Sequence, residues 1–288
     1  MATARTVRTI AALAVVTSLG ACSGSTTEPG NPTPSATSPT AAATPSPTDS
    51  PSASPTATPA DPGTNHVPMP AAEPTGWTRV YAADSWTEGT LARDFTAYPS
   101  PWRDTSRLGR YVGLADVTVP GGQLTIRLHS DAQGPRSTAL QPLDGRAQLY
   151  GRYSVRARMT SNGPGFRTAW TLWPENGRYP AGGSIAWPDG AITSAPSAFV
   201  HWASASGGKD SFTQPVANSG WHTWTIEWSP GTVVFLVNGR HVGTTTRLVP
   251  STRMHWVLQC ETEPGGSRPS PRAVASVQIA WITMATRD

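Results

Sequence analysis

The chain has 288 residues and a formal charge of +4, with 37% hydrophobic and only 14% charged side chains, and its composition changes sharply along its length. All 12 Trp fall between Trp77 and Trp281, whereas residues 23–75 have none and hold 13 of the 29 Pro. Two cysteines, Cys22 and Cys260, exclude a disulfide scaffold and a Cys-rich zinc site. No apolar run reaches the roughly 18–20 residues of a membrane-spanning helix, and the 213 residues from Gly76 onward suit one large domain rather than a multidomain enzyme.

At the amino end Arg5 and Arg8 precede the apolar run Ile10 to Val16, then Thr17, Ser18 and the small-residue stretch Leu19-Gly20-Ala21-Cys22. A basic start, a short apolar core and a small-residue cleavage zone read as a secretory signal over residues 1–21. Leu-Gly-Ala-Cys resembles the bacterial lipoprotein box, which implies a diacylglycerol on Cys22 after cleavage and a chain held on the membrane, facing outward or into a periplasm. Several acyl chains at about 0.8 kcal/mol per buried methylene anchor firmly. The plainer alternative is ordinary secretion with an incidental cysteine.

Residues 22–75 follow the lipidation site with Ser, Thr, Pro and Ala in irregular order, as in Pro45-Ser46-Pro47-Thr48. Such a segment buries too little apolar surface to offset its ordering entropy and is expected to act as a disordered tether. Its reach is on the order of 40 Å as a flexible coil and roughly 160 Å if fully polyproline-like.

From Trp77 the pattern is alternation between turn residues. Gln123 to Leu128, Tyr153 to Met159 and Val277 to Ile282 alternate at period two, each giving one apolar and one polar face. Turn residues recur at Pro120-Gly121-Gly122, Ser161 to Gly165, Ser229-Pro230-Gly231 and Asn238-Gly239, the last between Thr232 to Val237 and Arg240 to Thr244 as in a tight hairpin. No amphipathic helix stands out. Residues 76–288 are therefore expected to form an all-β domain, a two-sheet sandwich.

Twelve Trp exceed what a sandwich core needs, and flat aromatic faces suit sugar rings, so an exported β domain rich in Trp points toward glycan binding. Trp224 and Trp281, inside alternating strands, are expected to be structural. The basic balance, +6 over residues 76–288, comes from 20 basic and 14 acidic side chains, of which Lys209 is the single lysine. No dense Arg cluster with interleaved aromatics argues for nucleic acid. Mild attraction to anionic wall polymers or lipid headgroups, or simply a solvated arginine surface, accounts for the charge.

Specific stretches then carry a family resemblance. Tyr150-Gly151-Arg152-Tyr153-Ser154-Val155-Arg156, Ala169-Trp170-Thr171-Leu172-Trp173-Pro174, Trp221 to Trp228, Val237-Asn238-Gly239 and Met254 to Gln259 resemble, in order and spacing, the strands of glycoside hydrolase family 16. The resemblance spans most of residues 77–283 and implies a concave jelly-roll β-sandwich of the concanavalin A-like, glucanase type. It also implies polysaccharide as ligand, a monomer, and in some members a structural calcium whose ligands do not map onto this chain.

The family's chemistry sits on one strand with the pattern Glu-hydrophobic-Asp-hydrophobic-x-Glu, the outer acids acting as nucleophile and acid/base about 5–5.5 Å apart. The matching stretch here is Gly182 to Gly190, which places Ser184 at the nucleophile position, Ala186 at the middle aspartate and Asp189 at the acid/base. A serine without an adjacent base cannot replace the carboxylate, and alanine orients nothing. Asp189 is one methylene short of glutamate, and its plainer reading is a turn residue in Pro-Asp-Gly.

Among the other acids, Glu175, Asp210, Glu227, Glu261 and Glu263, the pair Glu261 and Glu263 shares a face with Gln259 and is the first candidate for a relocated site. By the resemblance Trp173, Trp187, His201, Trp202, Gln259 and Glu261 line the groove, the Trp residues having core packing as their alternative. Cys260 reads as a small buried apolar residue. No histidine spacing or Asp-rich loop marks a metal site, and no cofactor is implied beyond the family's calcium. Three readings remain: a family 16 domain without turnover that binds a polysaccharide, an active glycosidase or transglycosylase with non-standard carboxylates, and a structural or partner-binding surface lipoprotein.

Overall fold

The computed structural model of the chain describes residues 67–288. The expected signal peptide, the expected lipidation site Cys22 and the part of the expected tether up to residue 66 lie outside the described residues. In chain order the strands begin with β1 (Trp77–Ala83), β2 (Phe95–Ala97), β3 (Arg110–Tyr111), β4 (Val117–Thr118), β5 (Leu124–Asp131) and β6 (Gly134–Pro142). They continue with β7 (Gly151–Ser161), β8 (Phe166–Pro174), β9 (Ser184–Ala191), β10 (Ser197–His201) and β11 (Lys209–Thr213). The last five are β12 (His222–Ser229), β13 (Thr232–Val237), β14 (Arg240–Thr245), β15 (Met254–Thr262) and β16 (Ala275–Arg287).

These strands make the concave two-sheet sandwich that alternation and turn spacing predict. One sheet runs β11-β10-β9-β8-β15-β6, with β2 on β6; the other runs β5-β16-β7-β12-β13-β14, with β4 on β5 and β1 on β16. β6 joins them. It pairs with β5 through 134–136 and then passes to β15 and β2 through 138–142.

Period two explains which side chains fill the space between the sheets. Trp170 and Leu172 of β8, Ile185 of β9, Ala198 and Val200 of β10 and Met254, Trp256, Leu258 and Cys260 of β15 point inward. They meet Tyr153, Val155, Trp224, Ile226, Phe235, Val277 and Ile279 of the other sheet. Trp224 is thus structural as expected, and burial pushes the Cys260 thiol up to about 12, an inert apolar packer. The Asn238-Gly239 turn joins β13 to β14 with both residues at positive φ, 50° and 75°, which the two-residue hairpin requires.

Three details depart from the sequence reading. A seven-residue helix, α1 (Glu88–Asp94), forms where none stood out, its first turn capped by Thr87, whose hydroxyl accepts from the Thr90 N–H at 3.0 Å, and one buried residue, Leu91. A bulge in β16 between Ile279 and Trp281 reverses the alternation, so Trp281 is buried on the outer face, where its indole donates to the Val67 carbonyl at 3.0 Å. Finally, the end of the expected tether belongs to the fold. The Glu73 carboxylate, 1% exposed, is held by Arg79 at 2.9 Å and Arg152 at 2.6 Å, and Arg79 also donates to the Pro70 carbonyl at 2.8 Å. The boundary at residue 75 therefore moves back to residue 67 at least, because a carboxylate within a Pro-rich stretch supplies the counter-charge for two guanidiniums.

Candidate functional site

The candidate surface is the face of the β11 to β6 sheet turned away from the core. Register aligns its side chains in rows: His255 with Trp173, Val257 with Thr171 and Ala186, Gln259 with Ala169 and Asp189, Glu261 with Arg167. On the far side His201 opposes Ser184, and Phe199 opposes Ala186. Small side chains, Ala169, Thr171, Ser184 and Ala186, form a trough between bulkier walls and are 4–9% exposed.

A bulge brings Asp189 onto this face. Three residues of β8, Ala169 to Thr171, span four of β9, Asp189 back to Ala186, and the same slip recurs against β10 between Ser197 and Phe199. The extra residue at Trp187-Pro188 restores the parity that an odd spacing from Ser184 would otherwise break. Trp187 itself goes inward. At 1% exposure it packs edge-on against Trp224 at 4.9 Å and Phe235 at 6.3 Å, and its indole donates to the Leu236 carbonyl at 2.9 Å. Its expected place in the groove is corrected to the core.

Asp189 is engaged by Arg167, which forms an ion pair with its Oδ1. Arg167 stands between two acids, because it is the register partner of Glu261 on β15. Glu261 lies on the groove side of its strand as expected, but it is 1% exposed, and its Oε2 accepts from the Tyr111 hydroxyl at 2.9 Å and the Thr105 N–H at 3.0 Å. Burial raises its pKa, the Arg167 charge opposing that shift and Asp104 adding to it. Two strand spacings and two residues along the strand put the Asp189 and Glu261 backbones on the order of 12 Å apart.

The chain from Tyr98 to Gly109 is strapped over the β6 and β15 end of the trough. Its anchor is Asp104, a buried carboxylate accepting five hydrogen bonds: from Ser137 Oγ at 2.8 Å, Thr262 Oγ1 at 2.6 Å, the Thr262 N–H at 3.1 Å, Ser106 Oγ at 3.0 Å and the Gly109 N–H at 3.2 Å. Tyr98 and Tyr111 meet edge-on at 5.2 Å and pack with Val257 and Ala139, with Trp102 and Trp173 at the border. Gln259 Nε2 donates to Thr105 Oγ1 at 2.9 Å, while its buried Oε1 finds no protein donor. Asp104→Asn turns one acceptor face into a donor opposite the Thr262 N–H; a loss of about 2 kcal/mol, from hydrogen bonds to a charged group, is expected in denaturant unfolding.

At the other end of the trough Trp173 stacks on Tyr179 at 5.0 Å, and Tyr179 hydrogen-bonds His201 Nδ1 at 3.0 Å. His201 faces the trough as expected. Burial, with the Lys209 charge second, brings its pKa down to about 4, so the imidazole is neutral at pH 7. Trp202 does not offer a ring to a sugar: the Arg247 guanidinium sits 3.9 Å over it and Gly208 packs against its six-membered ring with no room for a Cβ. That expectation is corrected.

The remaining acids stand elsewhere. Glu175 is exposed and 3.5 Å from Arg253; Glu227 pairs with Arg152 at 3.0 Å on the outer face of the opposite sheet; Asp210 points away from the trough to Thr245; Glu263 follows the end of β15. Among the described residues no group of three or more His, Cys, Asp or Glu side chains converges. Arg167, Asp104, Tyr179 and Lys209, which shape this surface, escape a reading by motif: strand register brings Arg167 and Lys209 to the trough, and loops carry Asp104 and Tyr179 there.

Comparison with known proteins agrees with this architecture. Residues 115–260 match the profile of glycosyl hydrolases family 16. The non-specific endo-β-1,3(4)-glucanase SCLam superposes with a TM-score of 0.61 at 18% identity, covering 76% of this chain and 95% of its own. A Glu-to-Ser variant of the same glucanase, holding 1,3-β-D-cellobiosyl-glucose at its active site, gives 0.61 at 18% identity over 76% and 98%. The laminarinase catalytic domain from Thermotoga maritima MSB8 gives 0.58 at 16% identity over 74% and 99%. Among curated proteins no sequence match was found.

Proposed function

Because the chain belongs to glycosyl hydrolases family 16, we propose that its domain has kept the family's trough as a polysaccharide-binding surface and lost turnover. The observation that carries this reading is the β9 strand: Ser184 and Ala186 stand in the trough where the family pattern has acids, and Asp189, at the acid/base position, is tied to Arg167. An oxygen engaged by a guanidinium is not free to deliver a proton to a leaving sugar. Binding is supported by Trp173 beside the trough. A Glu-to-Ser change also leaves an oligosaccharide in the active site of the glucanase SCLam. We further propose that Cys22 carries a lipid and that residues 23–66 hold the domain away from the membrane, on the outer or periplasmic side.

The test is a panel of β-glucans, agar, carrageenan and wall polysaccharide, read by affinity electrophoresis and by reducing-end release from the purified protein. The expected result is retardation by at least one polymer, weakened by Trp173→Ala, with no release from any. Release by the native protein overturns the loss of turnover and directs attention to Glu261, whose raised pKa suits an acid. Retardation by none overturns the binding role and leaves a structural or partner-binding surface.

A further inference from the structure

The β10 and β11 end of the trough has an electrostatic character of its own. Register sets Lys209 opposite His201, so both side chains stand on the trough face. Lys209 Nζ is held 4.4 Å over the Phe199 ring, itself a trough residue, and among the described residues no carboxylate lies within ion-pair distance of it. The trough-facing positions of these two strands are Ser197, Phe199, His201, Lys209, Ser211 and Thr213, none of them acidic. Asp210, the one acid of β11, is turned away to Thr245. The neighbouring trough positions of β9, Ser184 and Ala186, carry no charge, and the exposed Arg178 lies one residue before Tyr179.

We infer, resting on the glycan-binding reading, that this end of the trough receives the anionic group of an acidic saccharide, a carboxylate, sulfate or phosphate, on Lys209 beside Phe199 and His201. A cation resting on an aromatic face is oriented without being neutralised, because the ring attracts it and carries no compensating charge. The ammonium therefore keeps its donors for an incoming anion. Tyr179 Oη and His201 Nδ1 share a hydrogen bond at 3.0 Å, and in the tautomer in which the hydroxyl donates, the ring proton stands on Nε2 as a second donor. The uncharged Ser184 and Ala186 leave no opposing carboxylate beside it.

Because Lys209 is the single lysine of the chain, amine-directed labelling reads this one side chain apart from the amino terminus. The purified protein is titrated with polygalacturonate, a sulfated galactan and poly(glycerol phosphate), which separate the three anions, and with neutral laminarin. One acidic polymer is expected to bind at least about tenfold more tightly than laminarin, the equivalent of one charge-assisted contact. That preference should fall as salt shortens the screening length from about 10 Å at 0.1 M to about 3 Å at 1 M. The same polymer should protect Lys209 from acylation and raise the His201 pKa, followed by NMR, above its free value. Lys209→Ala should remove the preference for the acidic polymer over laminarin, and Lys209→Arg should keep it. Equal or tighter binding of laminarin, or acidic-polymer binding unaffected by Lys209→Ala, overturns the inference and leaves the binding reading standing. Failure of every polymer, neutral and acidic, overturns the binding reading itself.

Discussion

A variant carrying Ser184→Glu, Ala186→Asp and Asp189→Glu together is expected to release reducing ends at least about a hundredfold above the native protein, whereas Ser184→Glu alone will release none. The scaffold for catalysis persists, because the bulge at Trp187-Pro188 still turns positions 184, 186 and 189 to one face of the sheet. A single restored nucleophile has no proton donor opposite it, and general acid catalysis alone contributes on the order of 10²–10⁴. Arg167 is the remaining obstacle, since its guanidinium now holds the side chain at 189. Adding Arg167→Gln is expected to raise the rate of the triple variant about tenfold further, with a stability penalty, because Arg167 also offsets the buried Glu261 charge. A triple variant that binds polysaccharide but stays silent, with or without Arg167, would show that the trough has changed beyond its acids. Misplacement on the order of 1 Å costs about a hundredfold.

Much of the fold was legible because strand period and turn chemistry are local. Asn238-Gly239 fixed a hairpin, and the apolar members of 124–128 and 153–159 identified the core faces of β5 and β7. What stayed illegible is non-local or a break in the period. No pattern near Ile279 announces the bulge that sends Trp281 outward. The pairing of Arg167 with Asp189 joins residues 22 apart and follows only from the register of β8 against β9. Glu73 lies in a stretch whose Pro content reads as tether throughout, and its docking depends on two guanidiniums, one of them 79 positions away. Trp202 sits just past the end of β10, where alternation no longer says which way a ring points.

Trp187 is the instructive case, since alternation and family position disagree about it. With Ser184 and Ala186 on the trough face, period two sends Ile185 and Trp187 to the core, and the bulge that recovers Asp189 begins only after Trp187. The physical pattern was the better guide than the resemblance. Trp187→Ala is therefore expected to destabilise the domain by about 3–5 kcal/mol, the cost of truncating a buried Trp, with the Leu236 carbonyl left without its donor as well. Against a total stability of about 5–15 kcal/mol that is a large fraction, and it should appear as a lower denaturant midpoint with an unchanged slope. Trp173→Ala, partly buried at the border of the trough, stacked on Tyr179 and packed against the Tyr98, Tyr111, Ala139 and Val257 cluster, should cost no more than about 2 kcal/mol while weakening polysaccharide retardation. The two variants thus separate packing from recognition. Were Trp187→Ala to leave the midpoint in place and abolish retardation, the ring would have to reach the trough, and the inward placement of β9 between the sheets would be wrong.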